Sequence, residues 1–355
     1  MMTLKKGYAG IDIFRFIAAI FVIAIHTAPL ADLSSTAEFV FTGIICRVAV
    51  PFFLITSGFF LVREDASYKK LLSFIKKTAV IYLISIVLYI PINVYMGYFS
   101  MENAVFEIIK DIFFDGTLYH LWYLPAAITG GAIAFLLVKK LGTKWAAAIT
   151  LLLYLLGMVG DSLFGLIEAT PAGAVYNAVF AVVGSSRNGI FFTPIFFVLG
   201  AIIAKREPLS LKKSLLGAVI SYILLFFEAM ALRDAALFRR DSMCIFIFLL
   251  PLIYFLFSAL CGVKGERKAL LRDSSMIIYI IHPFVIVVLR FVSELLGIDG
   301  VIIENNLVNF VTVTVLSVIA AFVISAVMGL FKKNGARKRE ETAKEQEKEP
   351  VAEPV

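Results

Sequence analysis

The chain alternates between long apolar stretches and short polar breaks. Ten apolar runs stand out: Ile11 to Leu30, Val40 to Val62, Phe74 to Met96, Tyr119 to Val138, Trp145 to Gly157, Gly189 to Ala204, Leu215 to Leu232, Met243 to Cys261, Ser274 to Leu296 and Leu307 to Phe331. A helix needs roughly 20 mostly apolar residues to cross a hydrocarbon layer, and most of the runs approach that length. The pattern therefore predicts an all-α fold, a polytopic membrane helix bundle of about ten transmembrane helices. The fifth run is short, and reads either as re-entrant or as a span longer than its apolar boundaries.

Lysine and arginine placement is a second signal, because cytoplasmic loops accumulate them. With the N-terminus inside, 25 of the 33 basic residues fall on the cytoplasmic side and 6 on the other, counting Lys110, Arg187, Arg233, Arg239, Arg240 and Arg290. Arg15 and Arg47 lie within spans. An odd number of spans would put the basic C-terminal segment outside, so the expectation is an even number with both termini cytoplasmic. Residues 1–331 then form the transmembrane domain, and 332–355, polar and charged, a disordered cytoplasmic tail. Lys5 and Lys6 before an apolar run imitate a signal peptide, but Asp12 and Arg15 interrupt that run, which favours a retained first helix.

Composition agrees: 61% hydrophobic and 17% charged residues exclude an ordinary soluble domain. The net charge of +7 follows from the loop asymmetry and calls for no nucleic-acid partner. Cys46, Cys244 and Cys261 lie in apolar runs without metal-ligand spacing and read as core residues.

Ionisable groups inside a span cost roughly 2.5 to 3.5 kcal/mol each, so they call for a specific explanation. The first run carries Asp12, Arg15 and His26. Asp12 and Arg15, three apart, can pair near the cytoplasmic boundary. Arg15 and His26, eleven apart, share a helix face but sit about 16 Å apart along it. Arg15 reads either as a snorkelling residue or as part of a site, and His26 either as interfacial or as functional. Arg47 lies about 10 Å below the outer end of the second run, at the limit of snorkelling, so an internal partner or watery cavity is expected. His26 and Arg47 fall at similar depth. A cation there favours the neutral imidazole, the form a general base needs.

Further polar residues collect on the outer side: Tyr119, His120 and Trp122, Asp161, Arg187 and Asn188, Glu228, and Asp241 with Ser242. Each also reads as a loop or aromatic-belt residue. His282, before Pro283, reads either as a polar point reached from the cytoplasm or as a packed histidine. Pro51, Pro194, Pro251 and Pro283 interrupt spans, as happens where helices line a cavity and in plain bundles alike.

Arginine and histidine eleven apart in the first helix (Arg15, His26), followed by R-x-x-x-P-F-F-x-x-x-S-G-F in the second (Arg47, Pro51, Phe52, Phe53, Ser57, Gly58, Phe59), resemble the acyltransferase-3 family of membrane proteins. The segments LYHLWYLPA, GDSLFGLI, RNGIFFTPIFF and the ninth-run His-Pro pair are similar to the membrane half of VanT-type serine racemases of vancomycin-resistance clusters. The resemblance covers roughly residues 8 to 331. It implies His26 as catalytic base, Arg15 and Arg47 in donor binding or orientation, acyl-CoA as co-substrate with no bound cofactor, and a hydroxyl-bearing small molecule or cell-surface glycan as acceptor. His26, Arg15, Arg47, Ser57, His120, Trp122, Asp161, Arg187, Asn188, Glu228 and His282 form the candidate site, with no metal.

The VanT-type resemblance implies something else, delivery of L-serine to a cytoplasmic racemase domain. The tail brings no such domain, so the chain is not expected to racemise serine on its own, and the partner is a separately encoded racemase. Three readings follow: acyl transfer in the plasma membrane, L-serine uptake with Arg47 and Glu228 holding the amino acid's carboxylate and ammonium, and a membrane scaffold with buried ion pairs and no turnover.

Overall fold

The structure, a computed structural model, describes residues 7–100, 104–238 and 243–346. Lys5, Lys6, Arg239, Arg240, Asp241, Ser242 and the last nine residues of the expected tail lie outside them. The described residues are helical apart from turns, irregular segments and one antiparallel bridge between Gly7 and Gly265. The principal helices are α1 (Ala9–Thr27), α2 (Ser35–Leu61), α3 (Tyr68–Tyr95), α4 (Tyr123–Val159), α5 (Pro171–Val183), α6 (Thr193–Lys205), α7 (Leu211–Asp234), α8 (Leu249–Gly262), α9 (Ala269–Leu296) and α10 (Asn306–Gln346).

Seven of these, α1 to α4, α7, α9 and α10, are long and apolar enough to cross a bilayer. Helices α6 and α8 have 13 and 14 residues, fewer than a straight crossing requires. Both are shortened from the same side, because irregular segments, 184–192 and 243–248, precede them. Pro194 and Pro251 accordingly fall in first turns, where a missing N–H costs nothing. Those two prolines open helices and do not bend them.

The fourth and fifth apolar runs share α4. As a straight helix its 37 residues would span about 55 Å, and Gly130 and Gly157 would stand about 40 Å apart. Instead a Cβ on Gly130 would meet Thr193, and one on Gly157 would meet Phe191. Both halves thus pack on one short stretch, so the chain reverses at Gly142, whose φ of 77° and ψ of 165° are open to glycine and strained for other residues. The fifth run is a helix from Thr143 to Val159, longer than its apolar boundaries.

This reversal lies at the end of the bundle that carries Arg63, Lys139 and Lys205. There Glu64 accepts hydrogen bonds from Lys205 Nζ (2.8 Å) and Thr143 Oγ1 (2.7 Å), and Lys139 Nζ donates to the Ala66 carbonyl (2.8 Å). Paired hydrogen bonds between Gly7 and Gly265 join the start of α1 to the loop after α8. Asp12 accepts from the Lys268 N–H at 3.0 Å, and among the described residues no ion pair joins it to Arg15. The expected i, i+3 pair gives way to a bond that holds the loop.

Helices α2 and α6 cross at two glycines. A Cβ on Gly58 would lie 2.2 Å from the Phe197 carbonyl oxygen, and one on Gly200 2.3 Å from that of Ile55. Small residues let helix backbones approach this closely inside a membrane. Helix α10 continues through Gln346, so the helix runs on into the segment expected to be a disordered tail. Its Ala, Glu, Lys and Arg content accounts for that, since these are strong helix formers.

Candidate functional site

The irregular segments position the site. Non-helical backbone inside a membrane bundle needs partners for its N–H and C=O groups. Three residues expected to contact substrate supply them. Asp161 Oδ2 accepts from the Cys244 and Ile245 N–H groups, both at 2.9 Å, while the Ser162 hydroxyl, 3.1 Å from the same oxygen, donates its one hydrogen at the shorter distance of 2.6 Å to the Ile245 carbonyl. Glu228 accepts from the Ile247 N–H at 2.7 Å and the Phe248 N–H at 3.0 Å, which satisfies the exposed donors at the start of α8. Asn188 Oδ1 accepts from the Ile190 and Phe191 N–H groups at 2.8 and 3.0 Å, and its Nδ2 donates to the Ser185 carbonyl at 2.8 Å. Burial pushes the Asp161 carboxyl up, and the two backbone donors oppose that.

What these supports hold in place is a cavity of about 50 Å³ at the end of the bundle opposite Lys205, with room for a water or two or a few-atom group. His26 from the last turn of α1, Arg47 from α2, Trp122, Arg187 and Cys244 line it, with apolar walls from Val22 and Phe192. Arg47 sits in a 3-10 turn, Cys46–Val48, just after a π-helical stretch, Phe39–Ile45. Such irregular turns re-aim side chains, and Pro51, lacking an N–H, frees the Arg47 carbonyl. The Arg187 guanidinium lies 4.7 Å from the centre of the Trp122 ring. The Nε atoms of Arg47 and Arg187 are buried without partners among the described residues. Asp161 feels both guanidiniums, but its Oδ2 serves backbone donors, so among the described residues one carboxylate faces two cations.

His26 brings together more than its cavity. Its ring centre is 4.8 Å from that of Tyr119 and 5.3 Å from that of His282, the two imidazoles stacked at 26°. His282 in turn is 5.5 Å from His120. The three histidines, all that the chain contains, therefore form one cluster. His120 and His282 are buried, at 2% and 0% exposure, and His26 alone keeps an accessible face. Of the two readings of His282, the packed, hydrogen-bonded histidine agrees with the structure, and the separate point reached from the cytoplasm does not, because the ring stacks on His26. Helix α9 begins at Ala269, so by residue 282 it has risen about 20 Å and meets His26.

Tyr89 and Tyr279 complete the surroundings, and sequence reading missed both. Pro283 loosens α9, and the Tyr89 hydroxyl enters the opening: it donates to the Ile280 carbonyl at 2.5 Å and accepts from the Phe284 N–H at 3.2 Å. The Tyr279 hydroxyl donates to the His120 carbonyl at 2.7 Å. Tyr279 is three residues from His282 on one helix face, a spacing that could have flagged it. Nothing local marks Tyr89. Cys244, read as core, is buried yet lines the cavity.

Arg15 and Ser57 lie apart from this cluster. Ser57 donates to the Phe53 carbonyl at 3.0 Å within α2. Arg15 opens, with Tyr8, Asp12, Arg267 and Arg272, onto a separate cleft of about 330 Å³ at the basic end.

An imidazole with an accessible face, two guanidiniums whose Nε atoms lack hydrogen-bond partners among the described residues, and an apolar wall can take a proton from a hydroxyl and stabilise an oxyanion. The chain belongs to the acyltransferase-3 family, whose acyltransferase domain matches residues 8–326. It is 44% identical to an amino-acid racemase of Enterococcus faecalis over 345 residues, 96% of this chain and 48% of that protein. It is also 36% identical to a serine/alanine racemase of Enterococcus gallinarum, over 87% of this chain and 45% of the other. The chain thus spans about half the length of the curated relatives it matches. No solved structure matches it.

Proposed function

We propose that the chain is a membrane-embedded O-acyltransferase that moves an acyl group, acetyl above all, from acyl-CoA to a hydroxyl-bearing acceptor at the cell surface. The observation that carries this reading is the cavity in which the accessible face of His26 meets the unpartnered Nε groups of Arg47 and Arg187. His26 takes the acceptor's hydroxyl proton, and the guanidiniums hold the oxyanion that develops on the acyl carbon's oxygen. Family membership across residues 8–326 supports the reaction class.

The topology we propose has ten spans in the plasma membrane, with α4 counted twice and α6 and α8 as short crossings, and both termini in the cytoplasm. The excess of lysine and arginine at the Lys205 end supports that orientation. On this topology the cleft of Arg15, Arg267 and Arg272 opens to the cytoplasm and suits the phosphates of acyl-CoA. The acyl arm then has about 16 Å to cover along α1 from Arg15 to His26. Acyl-CoA is a co-substrate, and no resident cofactor is invoked.

A second reading is favoured by the names of the relatives, amino-acid and serine/alanine racemases. In it the same cavity receives an amino acid such as L-serine, its carboxylate on Arg47 and Arg187, and passes it to a separately encoded racemase of a D-serine-based vancomycin-resistance system. Glu228, whose oxygens serve α8, is a poor ammonium partner in that scheme.

Cells making the protein, given labelled acetate and labelled L-serine in parallel, separate the two. Acetyl label in surface material that disappears in His26→Gln, with serine uptake unchanged, supports transfer. Serine accumulation by liposomes holding the purified protein without any acyl donor overturns it.

A further inference from the structure

The chain has three histidines, at positions 26, 120 and 282, and the fold places all of them in one cluster. A single base needs one imidazole. The Nδ1 of His282 lies 3.0 Å from the Ile278 carbonyl, which can only accept, so that nitrogen carries the hydrogen. Its Nε2 therefore bears the lone pair, and this atom is buried with no partner among the described residues. A basic nitrogen left free in a fully buried ring, stacked on the one imidazole that reaches the cavity, lacks a hydrogen donor, and His26 is placed to supply one.

The surroundings decide where a positive charge is tolerated. Arg47 and Arg187 face His26 across the cavity, and Tyr119 flanks it. Tyr89, Tyr119 and Tyr279 stand against His120, and the cluster meets no carboxylate among the described residues. Moving a positive charge from His26 to His282 takes it out of the cavity that the guanidiniums line. Two charged imidazoles 5.3 Å apart are disfavoured by about 200-fold at an effective dielectric constant of about 20, so the stacked pair holds one proton and not two.

We propose that the three imidazoles hold one exchangeable proton between them, with the free Nε2 of His282 as the place to which His26 passes the proton it has taken up. The proton moves through one bridging water or a turn of the His26 ring. The link to group transfer rests on the acyltransferase reading. There the acceptor's O–H bond breaks as its oxygen joins the acyl carbon, and the proton goes to His26 and on to His282. The acyl–sulfur bond then breaks, and the proton returns through His26 to the departing thiolate. A hydroxyl and a thioester become an ester and a thiol, and the site ends as it began. His282 is a positioning residue for the proton and does not touch the substrate.

Because the chain has only three histidines, ring-¹⁵N-histidine labelling of the whole protein, without a histidine tag and in lipid nanodiscs, reports each imidazole directly. In the unmodified protein we expect the His26 and His282 signals to titrate over one shared pH range with uptake of a single proton. In His282→Gln the His26 midpoint moves by at least tenfold in proton concentration, and in His26→Gln the His282 midpoint moves equally, since coupling is reciprocal. Local misfolding of one variant does not produce equal shifts in both. Independent titration curves, or a His26 midpoint unmoved by His282→Gln, overturn the proposal. If the rings share a proton but labelled acetyl-CoA yields no transfer, proton sharing stands and the acyltransferase reading falls.

Discussion

Replacing Asp161 separates a residue that builds the site from one that binds substrate. In Asp161→Ala the Cys244 and Ile245 N–H groups, each 2.9 Å from Oδ2, lose their acceptor inside the bundle. Each buried donor left unsatisfied costs about 1–3 kcal/mol, so the substitution is expected to destabilise the protein by about 2–6 kcal/mol. The loss of negative charge beside Arg47 and Arg187 adds to that. Asp161→Asn retains one carbonyl oxygen able to accept both donors, and its cost is expected to fall below about 3 kcal/mol. The assay is reversible unfolding of the purified protein in mixed micelles with increasing dodecyl sulfate, followed by tryptophan fluorescence. With Trp122 lining the cavity, the same signal reports the site. If Asp161→Ala unfolds within about 0.5 kcal/mol of the unmodified protein, below the cost of even one lost buried acceptor, the carboxylate does not carry the 243–248 segment.

Other consequences follow from single contacts. Gly58→Ala places a Cβ 2.2 Å from the Phe197 carbonyl oxygen, and overpacking of this kind costs about 1–3 kcal/mol, so a clear drop in melting temperature is expected. An unchanged melting temperature would mean that α2 and α6 do not cross there. Trp122→Ala removes the ring 4.7 Å from Arg187, an interaction of about 0.5–2 kcal/mol, and should raise the KM for the group held by Arg187 by about 2- to 30-fold, with Trp122→Phe intermediate. Equal KM values across the series would detach Arg187 from binding. Hydrogen bonds from Lys205 and Thr143 hold the Glu64 carboxyl down at about 2, below its unfolded value near 4.3. The stabilisation is therefore complete above about pH 4.3 and is lost as pH falls through about 2. Melting curves of Glu64→Gln and the unmodified protein should differ at pH 7 and converge toward pH 2, and a constant difference would refute the latch.

The apolar runs made the helices legible, because crossing a bilayer imposes a length that few other constraints imitate. Every run coincides with helix over most of its length. What the runs hid was shape. Gly142 reverses α4 within a single residue, which a hydropathy pattern shows only as a slightly polar gap. The neighbourhood of Arg47 with His26 could be read from rise per residue alone. Asp161, Asn188 and Glu228 could not be sorted from binding residues, since a carboxylate that feeds backbone N–H groups looks in sequence like one that binds a ligand. His282 read equally as packed or as a separate polar point, because polar residues at the foot of α9 concealed where that helix begins and hence that the ring reaches His26. Tyr89 belongs to a different helix from the kink it fills, and only the folded chain brings them together.

The central claim is that His26 is the base of a group transfer carried out in the Arg47 and Arg187 cavity. The most direct measurement is the initial rate of label transfer from acetyl-CoA to isolated cell-envelope material by the purified protein, compared with His26→Gln at matched folding. Transfer by the unmodified protein is expected, with a fall of about 10²- to 10⁴-fold in kcat for the variant and KM for the donor nearly unchanged. A variant that retains kcat to within a few-fold would contradict it.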